Sequence, residues 1–227
     1  MPAARPVAIL GGVRIPFCRQ NTAYADVGNL GMSVRTLGAL VEKFGLHGQQ
    51  LGEVAMGAVI KHSSDWNLGR EAALSSGLSP LTPGITLQRA CGTSLDTIVH
   101  IAGKIATGQI ESGIGGGSDT TSDVPIVYGQ SLRRRLLKAA AAKTTKAKLA
   151  AFKGFRFSEL KPDFPGVAEP RTGKSMGDHC EDMAKEWNIA RDSQDELAVA
   201  SHHKLAAAYA RGVFDDLVVS FRGVSRD

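Results

Sequence analysis

Residues 84–108 read "GITLQRACGTSLDTIVHIAGKIATG", and how this stretch divides decides the fold. "GITLQ" (84–88) has the β-branched, apolar texture of a short buried strand. From Gly92 to Gly108 the text turns helical. Leu95, Ile98, Val99, Ala102, Ile105 and Ala106 recur at the spacing of one helix face, which predicts a stripe turned to the core. Cys91 therefore stands where a strand gives way to a helix. On the residues alone, two readings of that thiol stay open. Cysteine is a small hydrophobe and is often simply buried. A helix N-terminus, however, carries partial positive charge and unpaired N–H groups, which favour a thiolate and can hold the oxyanion of a tetrahedral intermediate. Gly92, directly after the thiol, keeps its approach path free of a side chain.

Outward from this point the chain alternates. "VAILGG" (7–12), "EVAMGAVI" (53–60) and "SGIGGGS" (112–118) read as strands, the last running into a glycine turn. "MSVRTLGALVEKFGL" (32–46) and "NLGREAALSSGL" (67–78) read as helices, with Asn67 as an N-cap and with Gly45 and Gly77 at the ends. Strand and helix alternating at this spacing predict an α/β fold built from βαβ units. After Asp119 the texture changes. A turn-rich stretch (120–130) leads into a basic, partly helical segment, then a proline-bearing loop (158–175). Helices are predicted at 176–188 and 192–212, and a strand at "DDLVVSF" (215–221).

Composition bounds the class. With 43% apolar and 22% charged residues, the chain is that of an ordinary globular protein, and no apolar run approaches the ~20 residues that span a bilayer. The N-terminal residues lack a secretory h-region, and a cytoplasmic location is expected. Three cysteines (Cys18, Cys91, Cys180) without a C-x-x-C suggest neither a disulfide framework nor a zinc site, and Cys18 and Cys180 read as packing residues. "His202-His203" lacks an i+4 partner for a metal. The net charge of +5 is local: residues 133–161 hold ten Lys or Arg against Glu159 alone, +9 in all, which leaves −4 elsewhere. An anionic partner is implied there, a phosphorylated ligand or a membrane surface, with no motif for nucleic acid.

Several segments in one order then narrow the reading. "LQRACGTSLDTIVHIAGKIATGQIESGIGGGSDTTSDVP" (87–125) closely resembles the active-site segment of thiolases, and "RIPF" (14–17), "MGDHCEDMAKEW" (176–187) and "QDELAVASHHKLAAAYARGVFDDLV" (194–218) agree with it. The long basic stretch is most similar to the trifunctional-complex β-subunit and its acetyl-CoA acetyltransferase relatives. The resemblance implies an N-terminal thiolase α/β/α domain over 1–118, incomplete, and an inserted, mostly helical, coenzyme A-binding loop domain over 119–227. It implies Cys91 as the acylated nucleophile and Met176 with Gly177 lining the pantetheine channel. Ser175 stands where many thiolases carry histidine. Arg222 or Arg226 would meet the nucleotide phosphates.

The expected activity is thiolysis of a 3-ketoacyl-CoA to acetyl-CoA and a shortened acyl-CoA, or the reverse condensation. Coenzyme A is then a substrate, and no cofactor is bound permanently. Expected partners are acyl-CoA, a second copy in a homo-oligomer (dimer or tetramer), and a hydratase/dehydrogenase α-subunit or a membrane surface at 133–161. The G-H-P histidine, the N-E-A-F motif and the C-x-G cysteine of the second thiolase domain do not occur among these residues. The sequence is thus expected to correspond to the N-terminal half, without the C-terminal thiolase domain. The alternative is a catalytically incomplete fragment that binds acyl-CoA or a partner subunit, and a related condensing enzyme with another acyl carrier is a further rival.

Overall fold

Three parallel strands carry the first part of the chain. In the computed structural model, which describes residues 5–227, β1 (Glu53–Gly57) lies between β2 (Gly84–Leu87) and β3 (Gly113–Gly117). Val54 pairs with Gly84 on one side and with Ile114 on the other. Helices α1 (Asn29–Lys43), α2 (Leu68–Ser75) and α3 (Thr93–Ala106) connect and cover them. Every residue of β1 is buried, as expected for a central strand with helices on both faces. The core sits between β1, α1 and α2, where Leu37, Val41, Leu51, Val54, Met56, Ala72, Ala73 and Leu78 pack together. Asn67 caps α2 by accepting the Arg70 N–H at 3.1 Å, and Gly45, Gly77 and Gly108 close their helices in the left-handed region.

The other face of β1 and β3 receives α3, and here the structure departs from the sequence reading. The residues of α3 that turn inward are Thr93, Thr97 and Ile101. The first half of the expected core stripe points away instead, with Leu95 67% exposed, Val99 58% and Ile98 36%, while Ala102, Ile105 and Ala106 are half-buried. The reason lies in β3. A Cβ on Gly115 would stand 2.8 Å from the Ile98 N, and one on Gly113 would stand 2.9 Å from the Ile101 Cγ2. The helix backbone rests almost directly on the strand, so Thr93 and Thr97 face inward with Ile101, and Leu95 and Val99 are left outside. "GIGGG" is strand throughout, with no glycine turn within it.

Two further expectations are corrected. Residues 7–12 form no strand; Ile9 and Leu10 are 79% and 84% exposed. Residues 215–221 contribute only isolated bridges, Val218 with Arg14 and Phe221 with Val224. Side chains, not a sheet ladder, hold that end of the chain. The Asp227 carboxylate accepts from the Arg14 guanidinium at 2.5 and 2.7 Å, from the Phe17 N–H at 2.7 Å and from the Tyr209 hydroxyl at 2.8 Å. Its hydrogen bond to Arg14 holds that carboxyl well below the usual carboxylate range. Phe221 and Val224 pack on Tyr24, Val27 and Met32.

The chain divides into two compact units: residues up to Asp123 together with Arg191–Asp227, and Val124–Ala190. The boundary expected at 118/119 falls a few residues later, and helix α7 (Arg191–Ala210) groups with the first unit. The second unit holds α4 (Gln130–Ala141), α5 (Thr145–Ala150), a short 3-10 turn (Phe157–Leu160), the two-residue antiparallel pair β4 (Val127–Tyr128) and β5 (Pro162–Asp163), and α6 (Met176–Glu186).

One buried charge fixes α3 against β1. Glu53, 7% exposed, accepts from His100 Nε2 at 2.6 Å and from Lys104 Nζ at 2.7 Å. Burial pushes its carboxyl up, but Lys104 and His100 outweigh this and hold it below its ordinary 4.5. With the folded value depressed, the stabilisation is present above the unfolded value and is lost as pH falls through the folded one. Glu53→Gln is expected to lower unfolding free energy by about 1–3 kcal/mol at neutral pH. In urea denaturation the gap from the unsubstituted protein should narrow as pH is taken below 4.5. A gap of constant size would show that the carboxylate's charge is not its source.

Candidate active site

All three strands of the sheet are parallel, so their carboxyl ends open on one side, the side where open α/β sheets bind ligands. Cys91 follows β2 at that end and precedes α3 by two residues. Its side chain is exposed and free. The buried-cysteine reading of this position is therefore set aside.

The turn that presents the thiol is tightly built. Ala90, just before it, has φ +41°, a left-handed conformation that costs an L-residue roughly 1–2 kcal/mol. Thr93 holds the turn in place. Its hydroxyl accepts the Arg89 N–H at 2.8 Å and donates to the Ala90 carbonyl at 2.7 Å, while its side chain is buried. Gly57, at the end of β1, faces the same turn: a Cβ there would stand 2.3 Å from both the Leu87 carbonyl oxygen and the Thr93 Cγ2. Gly117 is similarly confined by the Gly57 carbonyl at 2.6 Å and Ser94 Oγ at 2.8 Å. Gly92 differs. Its φ is −87°, and an added Cβ would meet only the Arg89 carbonyl, at an ordinary 3.5 Å.

The expected donors at the helix start are partly engaged. The Gly92 N–H donates to the Arg89 carbonyl at 3.0 Å and the Thr93 N–H to the Ala90 carbonyl at 3.2 Å. These two groups close the turn, so neither points freely at a ligand on Cys91.

The loops leaving β1 and β3 at this end carry groups that periodicity does not reveal. Asp119 accepts the Val59 and Ile60 N–H groups at 2.6 and 2.9 Å, which fixes the loop after β1. Lys61 Nζ donates to Gln88 Oε1 at 2.7 Å, three residues before Cys91. His62 Nε2 lies 3.1 Å from the Asp123 carboxylate. The two N–H groups that Asp119 accepts lie about sixty residues away in sequence, so no local pattern announces the contact. His100, on α3, is bound to Glu53.

Met176 and Gly177 lie in the second unit, at the first two positions of α6. Ser175 is the N-cap: its Oγ accepts the Asp178 N–H at 3.1 Å, while the Asp178 carboxylate accepts the Ser175 N–H at 2.8 Å. Met176 is 62% exposed, and a Cβ on Gly177 would meet only Ser175 Oγ, at 3.6 Å. Cys180 on the same helix is exposed, which corrects its reading as a packing residue. Of the two candidate phosphate ligands, Arg222 lies 3.5 Å from the Asp26 carboxylate and Arg226 stacks on Tyr209 at 4.4 Å. Among the described residues no group of three or more His, Cys, Asp and Glu is placed to hold a metal ion.

An exposed thiol on the turn from a parallel strand into a helix defines an α/β protein with a nucleophile-type residue at the ligand-binding edge of its sheet. The chain belongs to the thiolase family: the family model "Thiolase, N-terminal domain" matches residues 7–227. It is 37% identical over 214 residues to a 3-ketoacyl-CoA thiolase of Photorhabdus laumondii subsp. laumondii, covering 94% of this chain and 49% of that protein. A 3-ketoacyl-CoA thiolase of Citrobacter koseri is 35% identical over the same shares. Among solved structures, the Bacillus anthracis acetyl-CoA acetyltransferase shares the fold, with a TM-score of 0.78 at 24% identity, over 96% of this chain and 51% of that one. The chain spans about half the length of the curated relatives it matches.

Two substitutions probe this geometry. Gly57→Ala forces a methyl group against backbone and is expected to destabilise by about 1–3 kcal/mol or more, read as a lower Tm. A Tm unchanged from that of the original protein would show that the strand ends are not held as closely as described. Thiol titration of the folded chain should find Cys91 and Cys180 reacting fast and the half-buried Cys18 slowly. In Cys91→Ser one fast thiol should remain; two remaining fast thiols would mean that Cys91 is covered.

Proposed function

We propose that this chain carries the acyl-accepting half of a thiolase, acting on 3-ketoacyl-CoA in the cytoplasm with coenzyme A as the second substrate. Its relatives named 3-ketoacyl-CoA thiolase support the substrate class. The observation that carries the reading is Cys91, exposed on a strained turn at the carboxyl end of the sheet. In this reaction the Cys91 sulfur attacks C3 of the 3-ketoacyl-CoA. The C2–C3 bond then breaks, its electron pair leaves on C2, and protonation there gives acetyl-CoA. The acyl group remains as a thioester on Cys91. The sulfur of coenzyme A next attacks that thioester and expels the Cys91 sulfur, which yields the shortened acyl-CoA. Run in reverse with acetyl groups, the same steps condense two acetyl-CoA.

The glycines separate what the fold demands from what it does not. Gly57, Gly115 and Gly117 are required by close packing, whereas nothing in the fold requires Gly92 or Gly177 to lack a side chain. Room at Gly92 suits a ligand that approaches Cys91, and within the second unit room at Gly177 suits a pantetheine arm beside Met176. With the Gly92 and Thr93 N–H groups engaged in the turn, the oxyanion needs other donors, and the loops at the carboxyl end of the sheet are placed nearest to supply them. A homo-oligomer fits the apolar face that α3 turns outward.

A second reading is that these residues, which span about half the length of the relatives, bind acyl-CoA without turnover. Incubation with acetoacetyl-CoA, followed by peptide mass spectrometry, should show an acetyl adduct on the peptide bearing Cys91 and none in Cys91→Ser. An adduct that persists in Cys91→Ser overturns the assignment of the nucleophile. Binding of acyl-CoA with no adduct at any residue selects the second reading.

A further inference from the structure

The backbone leading up to Cys91 is tied residue by residue, and the ties are unequal. Gln88 is held from the side by Lys61 Nζ at 2.7 Å. The Arg89 guanidinium lies 3.2 Å from the Asp96 carboxylate on the first turn of α3, an ion pair that is 75% exposed on its Arg89 side. Pairs of that kind contribute little to holding a backbone in place. The inner ties differ. The Arg89 N–H and the Ala90 carbonyl both end on one hydroxyl, that of Thr93, at 2.8 and 2.7 Å.

That hydroxyl is itself confined. Thr93 is 5% exposed, and its Cγ2 fills the space against Gly57, where an added Cβ would stand 2.3 Å away. A threonine hydroxyl has one proton to donate, and here it goes to the Ala90 carbonyl while a lone pair takes the Arg89 N–H. Ala90, between the two tied groups, sits at φ +41°. A residue other than glycine keeps such a conformation only where its surroundings over-determine it. Without the hydroxyl, the Arg89 N–H loses its acceptor and Ala90 is released to the right-handed or extended region. Cys91 is the next residue, so a change of dihedral at Ala90 redirects its sulfur.

We propose that Thr93 is a positioning residue for acyl transfer: its hydroxyl keeps Ala90 in the left-handed region and thereby aims the Cys91 sulfur at the acyl carbon, without touching the substrate. The inference rests on the reading of Cys91 as the acylated residue. Two substitutions separate its parts. Thr93→Val keeps the shape that packs on Gly57 and removes both hydrogen bonds, whereas Thr93→Ser keeps the hydroxyl and removes the methyl group.

The test is the rate at which the full chain forms acetyl-Cys91 from acetoacetyl-CoA, the acetyl group passing to the sulfur as acetyl-CoA leaves. At saturating acetoacetyl-CoA, Thr93→Val should slow this step roughly tenfold to a hundredfold with the half-saturating concentration unchanged, and Thr93→Ser should recover most of the loss. Circular dichroism at the assay temperature should match that of the original chain. Thr93→Ala repeats the comparison and carries it should the valine variant not fold. A nitroxide attached to Cys91, with Cys18→Ser and Cys180→Ser, reports the turn without any acyl transfer. Its motion should be restricted in the original chain and in Thr93→Ser, and faster in Thr93→Val. An undiminished saturating rate in folded Thr93→Val overturns the proposal, as does a nitroxide equally restricted in all three. Absence of an acetyl adduct in the unsubstituted chain overturns the reading of Cys91 instead, and the nitroxide then still decides whether Thr93 holds the thiol in place.

Discussion

The first unit rests on the near-contact of one helix with one strand. α3 lies so close to β3 that any side chain at Gly113, Gly115 or Gly117 would collide with helix atoms or neighbouring backbone. Three alternate glycines give β3 a bare face, while Ile114 on its other face packs against the core. Dispersion falls steeply with separation, so a backbone-on-backbone contact recovers packing that larger, poorly fitted side chains would lose. Thr97 completes it: buried within the contact, its hydroxyl donates to the Ser94 carbonyl at 2.7 Å and lies 3.2 Å from the Gly116 carbonyl. Because the helix sits low, its first turn meets the end of β1, and Gly57 must also be bare. The position of Cys91 is thus a consequence of the packing, fixed from beneath by Gly57 and from within by Thr93.

That arrangement has a chemical cost and a chemical use. The turn before α3 is strained at Ala90, and the Arg89 and Ala90 carbonyls engage the first N–H groups after the thiol. These bonds keep the sulfur at the surface by tying down the backbone on both sides of it. They also remove two donors that a helix start would otherwise offer to an anion. Rigid presentation and oxyanion binding therefore draw on the same few N–H groups, and here presentation has taken them.

Much of this was legible in the sequence. The α2 cap at Asn67, the three closing glycines and the strand-to-helix step at Cys91 follow from local chemistry acting over four or five residues. The inward face of α3 was not, because hydrophobic periodicity assumes that the bulkiest stripe faces the core. A glycine-faced strand reverses that assumption by making smallness the requirement. Residues 7–12 and 215–221 have the composition of strands, yet strand formation needs a partner edge, which composition does not encode. Asp119, Lys61 and Thr93 escaped for another reason: each acts through two hydrogen bonds, to backbone or to a residue distant in sequence, and such bonds leave no period.

The reversal of α3 also explains why its outer stripe exists. Ile98 meets β3 through its backbone, and the side chains of Leu95, Ile98 and Val99 are turned outward, so the contact with β3 gives no reason for them to be apolar. Polar residues there would leave the inward face, the glycine contact and the Glu53 anchor unchanged. An apolar stripe at helical spacing that the unit itself does not bury is the kind of exposed surface on which the proposed homo-oligomer would form. Glu53, His100 and Lys104 place a charged clasp at the far end of the same helix, where it fixes the tilt of α3 from the side of β1. The helix thus has one face that seats it on the sheet, one end that presents Cys91, and an apolar face turned outward.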